Sequence, residues 1–242
     1  MKKERNKNIS GHIYTAGLTL ILFFSTHLHA DLAEDMFHLE QRYIPVLLYS
    51  AQSDVRAVPA SGLFQTQWSR FKAQHAYNHT EDSLWGFDMV RMERAILDGQ
   101  RLIQAGEFER AHETLLSVRL SLAAMRERQQ LESYLDGFIH FDSSLQALLD
   151  KLQRQHADDI YLEISAAQAA WQALLQHQFN LHDYKLSLQK QAYLQECLQQ
   201  GQQLLDAMEQ SFSLAEYERL PAMAAKMQDV YNNTYAIFAI AN

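Results

Sequence analysis

The stretch from Leu84 to Arg128 limits the possible folds more than any other part of the chain. Trp85, Met89, Met92, Ile96, Gly99 and Ile103 follow one another at gaps of 4, 3, 4, 3 and 4 residues, which places them on one side of a helix. Gly106 then stands where a helix C′ residue belongs. Beyond it, Phe108, Ala111, Leu115, Val118, Leu122 and Met125 resume the rhythm at gaps of 3, 4, 3, 4 and 3. Glu107 and Glu109 fall in the first turn of this second arm, where carboxylates suit the helix dipole. The spacing predicts a helical hairpin.

Similar stripes run through the rest of the chain. Asp31 to Tyr49 reads as a first helix, with Pro45 inside it predicting a kink or break near Ile44. Ser53 to Gly62, with Pro59, reads as a loop. Leu63 to His75 forms a second helix carrying Phe64, Trp68, Phe71 and His75 on one side. Thr80, Glu81 and Asp82 are expected to cap and start the third. Leu131 to Leu152, Asp158 to Gln176 and Leu186 to Glu209 supply the fifth, sixth and seventh, with a loop at Phe179 to Tyr184. Ser213 and Glu216 match a capping box that would open an eighth helix, which Pro221 should bend or restart. Strand signals are nearly absent, and Glu, Gln, Leu, Ala and Met, all helix formers, dominate. The fold class expected is all-α, with eight helices.

Three landmarks recur at almost one offset. Trp68 precedes Trp171 by 103 residues, while Gly99 precedes Gly201 and Met125 precedes Met227 by 102. Both glycines open a Gly-Gln-x-Leu segment within a helix. Chance similarity between amphipathic helices is the rival explanation, but the shared segment is more than a stripe. The expectation is two repeated up-down four-helix units, at residues 31–130 and 131–242. Glycine inside a helix costs about 1 kcal/mol relative to alanine, so Gly99 and Gly201 predict close helix–helix approach.

Residues 1–30 have the layout of a cleaved signal peptide. Lys2, Lys3, Arg5 and Lys7 face a single Glu4, Ala16 to Phe24 is an apolar run of nine, and Ala30 stands at the expected cleavage position. The run is too short to span a bilayer; an uncleaved anchor is the alternative. Export to a bacterial periplasm follows, with no membrane span after removal. The whole chain has 21 basic and 29 acidic side chains; without the first thirty, which hold 4 and 1, the balance is 17 against 28, or −11. Such an acidic chain repels nucleic acid. Cys197 is the only cysteine, so no internal disulfide forms and helix packing must supply stability. It reads as a small buried hydrophobe.

No Gly-x-Ser-x-Gly, His-Glu-x-x-His or phosphate-cradling glycine loop is present, so the chain is expected not to be an enzyme. Glu109 and His112 form one Glu-x-x-His pair, the unit that di-iron bundles use twice; a solvated acidic helix start explains it as well. Asp136 and His140 lie four apart with Asp142 nearby, and with His112 or His75 they could form a mixed His/carboxylate metal site. The alternative is a partly exposed His–Asp pair. His75 extends an apolar stripe, the position of either a satisfied boundary histidine or a ligand. Arg119, Arg126 and Arg128 cluster on an otherwise acidic molecule and are candidates for contacting a protein partner.

The segment Ala30-Asp-Leu-Ala-Glu-Asp-Met36 resembles the mature start of the periplasmic four-helix b-type cytochromes. The hairpin from Gly86-Phe-Asp88 through Ala105-Gly-Glu-Phe-Glu-Arg-Ala111 is similar to that family's last two helices. The resemblance implies Met36 as an axial ligand of haem b. The family's second ligand is a His near the end of the fourth helix, and Val118 to Arg128 contains Met125 but no His. The functional expectation is a periplasmic all-helical binding or accessory protein without a cofactor, serving an unknown protein partner or small ligand. The alternative is a metal- or haem-binding bundle.

Overall fold

A computed structural model describes residues 11–79, 81–154, 157–177 and 184–240. Eight α-helices carry the described residues: α1 (Gly11–Ala51), α2 (Ala57–His75), α3 (Trp85–Gln104), α4 (Phe108–Arg128), α5 (Tyr134–Arg154), α6 (Ala157–Gln176), α7 (Leu188–Ser213) and α8 (Leu220–Ala236). No strand occurs among these residues. The predicted Thr80 cap and most of the predicted loop, at 179–183, lie outside the described residues.

The stripes are buried as their spacing requires. Trp85, Met89, Met92, Ile96 and Ile103 on α3 face Ala111, Leu115, Val118, Leu122 and Met125 on α4, all within one hydrophobic core. Cys197 is buried with no disulfide, as a small apolar residue. α1 packs on α2 and α4, α2 on α3, and α3 on α4; α5 packs on α6 and α8, α6 on α7, and α7 on α8. The two sets of four meet where α1 touches α8 and α4 touches α5. No described helix is long and apolar enough to cross a membrane.

Four helix ends close in the same way. At the end of α3, Gly106 has φ +77°; its N–H donates to Ile103 O, and Glu107 N–H donates to Leu102 O at 2.9 Å. This pair of bonds is a Schellman motif, which satisfies carbonyls that the helix leaves without donors. The same two bonds close α1 around Ser53, α4 around Gln130 and α7 around Ala215, with φ of 52°, 55° and 59°. Three of these four left-handed positions therefore carry a side chain.

The structure corrects three sequence expectations. Ser213 and Glu216 do not open a helix: α7 runs through Ser213 and stops at the left-handed Ala215, and a 3-10 turn, Tyr217–Arg219, intervenes before α8 restarts at Leu220 with Pro221 in its first turn. Much of the expected loop at 53–62 is helical. α2 begins at Ala57 and holds Pro59 in its first turn, where the missing N–H costs no helix bond. Third, of the kink or break expected near Ile44 the break does not form, and α1 continues through Pro45. The carbonyl that Pro45 cannot reach with an N–H is that of Gln41, and it accepts a hydrogen bond from Ile240 N–H at 3.3 Å instead.

The two mid-helix glycines sit at close approaches. A Cβ on Gly99 would lie 2.8 Å from the Leu115 side chain across the α3–α4 contact. A Cβ on Gly201 would lie 2.5 Å from Cε2 of Trp171 on α6. Bringing these helices together compensates the conformational cost of glycine.

Candidate functional site

The face shared by the two sets of helices carries charge as well as grease. On α1, Glu40 lies within the stripe of Leu32, Met36, Leu39 and Tyr43, which are all buried. On α4, Arg119 and Arg126 are two turns apart and point the same way. α5 contributes Asp136 and Asp142, and α8 contributes Tyr231 and Tyr235.

Arg126 is held by two carboxylates. Its Nη1 donates to Glu40 at 2.8 Å, Nη2 to Glu40 at 3.3 Å and Nε to Asp136 at 3.0 Å, with a further bond from Nη2 to Asp136. Glu40 and Arg126 are 1% and 2% exposed. Burial pushes the Glu40 carboxyl up, and neighbouring Arg126 pulls it back without cancelling the rise. Arg119 Nη1 donates to Tyr231 Oη at 2.7 Å and to Asp142 at 3.2 Å, and the guanidinium lies 4.7 Å from the centre of the Tyr235 ring. Its Nε and Nη2 are buried without hydrogen-bond partners among the described residues, so the tyrosine π-face carries part of that charge. Burial also raises the Tyr231 and Tyr235 hydroxyls above the ordinary phenol range, which keeps them protonated. Tyr43 Oη donates to Leu115 O at 2.9 Å, joining α1 to α4.

A pocket of about 490 Å³ opens beside Arg126, within the range usual for small-molecule sites. α1 supplies Ala33, Glu34, Met36, Phe37 and Glu40; the α4–α5 turn supplies Leu131, Glu132 and Ser133; Tyr184 and Lys185 complete the wall. The Phe37 and Tyr184 rings meet edge to face with centroids 4.8 Å apart. Lys185 pairs with Glu34 at 2.5 Å, and this bond holds the Glu34 carboxyl below its usual range.

The residues singled out in the sequence divide by location. Met36 lies on the pocket wall, fully buried. Asp136 and Asp142 serve the two buried arginines. Arg119 and Arg126 face the interior, because each meets its carboxylate across the α4–α5 contact; they offer no surface to a partner. Arg128 is paired with Asp82 at 2.9 Å and with Asp88. His75 Nε2 bonds Asp35 at 2.7 Å, and its ring lies against Phe71 at 4.8 Å. His112 Nδ1 is 3.1 Å from Leu47 O. Glu109 and His140 are exposed on α4 and α5. Among the described residues, no three His, Cys, Asp or Glu side chains gather as a metal site would need. Among the described residues, the pocket wall holds one thioether and no imidazole.

Sequence reasoning missed Glu40, Tyr184, Lys185, Tyr231 and Tyr235. Glu40 did leave a trace, as a carboxylate set inside an apolar stripe, which needs a buried partner. Tyr184 and Lys185 belong to a connection with no periodicity to read. No protein-family model, curated protein or solved structure matches the chain.

Proposed function

We propose that this chain is an exported, non-enzymatic binding protein, built from two related four-helix units, that holds a small ligand in the pocket beside Arg126. The observation that carries this reading is the pocket itself. It combines apolar walls with a few fixed polar groups, the usual make-up of a ligand site. Its deep end is organised by the Glu40–Arg126–Asp136 network, which costs desolvation energy that a purely structural core would avoid. The duplication is supported by the 102-residue offset and by the matching neighbour order of α1–α4 and α5–α8. The basic-then-apolar start of the chain supports export.

The test is a thermal-shift screen of small metabolites on protein purified from periplasm, repeated on Ala33→Phe, which fills the pocket. A ligand at a hundredfold its Kd stabilises by about 2.7 kcal/mol, a rise of roughly 5–11 °C in Tm for a chain of this size. Such a rise in the parent protein, lost in A33F, supports the reading. No ligand, or an equal rise in both proteins, overturns it. A Soret band or stoichiometric bound metal in the same preparation would instead favour the haem- or metal-binding alternative, with Met36 as the first ligand to replace.

A further inference from the structure

We infer that the pocket beside Arg126 selects an organic cation with an apolar body, a small alkylammonium compound, over anions of the same size. This rests on the binding-protein reading above and names the ligand class for the same site.

The charge around the pocket is unbalanced. Glu34, Glu40 and Glu132 line it against Arg126 and Lys185, and Asp136 draws on Arg126 from behind. Four of the five N–H groups of Arg126 already donate to Glu40 or Asp136, so no two-pronged fork is left to clamp an incoming carboxylate or phosphate. Lys185 is held by Glu34. Glu132 stands exposed at the α4–α5 turn with no ion pair among the described residues. Among the described residues, an anion entering this pocket meets a surplus of carboxylates and no cation without a carboxylate partner. An ammonium group meets Glu132 and the surplus charge of Glu40 and Asp136. Phe37 and Tyr184 offer the π-surfaces that favour alkylated ammonium, and Leu131 and Ala33 accept the apolar body.

The experiment is calorimetric titration of the full chain with hexyltrimethylammonium, hexanol and hexanoate, which share one apolar body and differ in the head. The expected order is ammonium tightest, hexanol roughly tenfold weaker and hexanoate weaker still. Glu132→Gln should weaken the ammonium compound about two- to fivefold and leave hexanol unchanged, and A33F should abolish all binding. Hexanol or hexanoate binding as tightly as the ammonium compound overturns the cation assignment and leaves the pocket standing as a ligand site. Ammonium binding that persists in A33F overturns the pocket and the cation assignment together. Failure of all three probes overturns the cation assignment alone, since the metabolite screen judges the pocket separately.

Discussion

Gly201→Ala should destabilise the protein although alanine is the better helix former. The new Cβ would fall 2.5 Å from Cε2 and 2.8 Å from Nε1 of Trp171, well inside van der Waals separation. Trp171 cannot swing away cheaply. It is fully buried, its Nε1 donates to Leu198 O at 2.9 Å, and its ring meets Phe141 edge to face at 4.5 Å. Overpacking of this kind costs about 1–3 kcal/mol, and the upper end applies to a rigid indole. Displacing the indole also weakens a buried hydrogen bond, a further loss of about 1 kcal/mol. Helix propensity returns about 1 kcal/mol. The net loss is therefore about 2–3 kcal/mol, or roughly 4–12 °C in Tm. Gly62→Ala is the matched control, since nothing lies within 4 Å of a Cβ on Gly62 in α2. It should stabilise by about 0.5–1 kcal/mol. Calorimetric melting of the two variants beside the parent protein decides the matter. If G201A melts at or above the parent while G62A rises, the close α6–α7 approach is wrong.

Arg126→Met should cost about 3–5 kcal/mol by leaving Glu40 buried without its cation; the double variant with Glu40→Leu should recover most of that in urea melts, and an equally unstable double variant would contradict the pairing. Glu40 has a raised folded-state pKa, so its protonated form favours the native state: its contribution is present below the unfolded pKa, about 4.3, and is lost as pH rises through the folded value. The stability of the parent relative to Glu40→Gln should accordingly fall as pH rises above about 4, and a constant or widening gap in urea melts would refute it. Ala215→Gly should stabilise by about 0.5–1 kcal/mol by relieving a left-handed residue; an unchanged or lower urea midpoint would mean that the α7 stop is formed differently.

The stripe spacing made the helices legible because a helix places its residues at a fixed pitch, so Trp85 to Ile103 could be read without any tertiary information. The stops were legible only where the chemistry was local. Gly106 announced its turn, whereas Ser53, Gln130 and Ala215 adopt the same backbone angles with side chains that give no warning. At Ser213 a capping-box pattern pointed the wrong way, because the Schellman bonds of α7 outcompete it. The candidate site was legible in fragments. Asp136, Asp142, Arg119 and Arg126 were singled out for metal binding or a partner surface. They turn instead on one another, since pairing across α4 and α5 depends on how helices dock, and stripe spacing does not encode that. Met36 was picked out by resemblance and lies at the pocket. His112 and His140, candidates for one metal site, fall at a backbone carbonyl and on an exposed helix face.

Pro45 has an effect well beyond its own turn. By withholding one donor from α1, it frees the Gln41 carbonyl to receive Ile240 near the far end of the chain. A residue usually regarded as a helix disruptor thus acts here as a docking notch, fastening the last residues after α8 onto the first helix. An ordinary residue at 45 would let α1 close its own ladder over that notch. The tail would then have to hold on by Phe238 with its apolar neighbours and by the bonds from Lys190 Nζ to Ile237 O and Ala239 O.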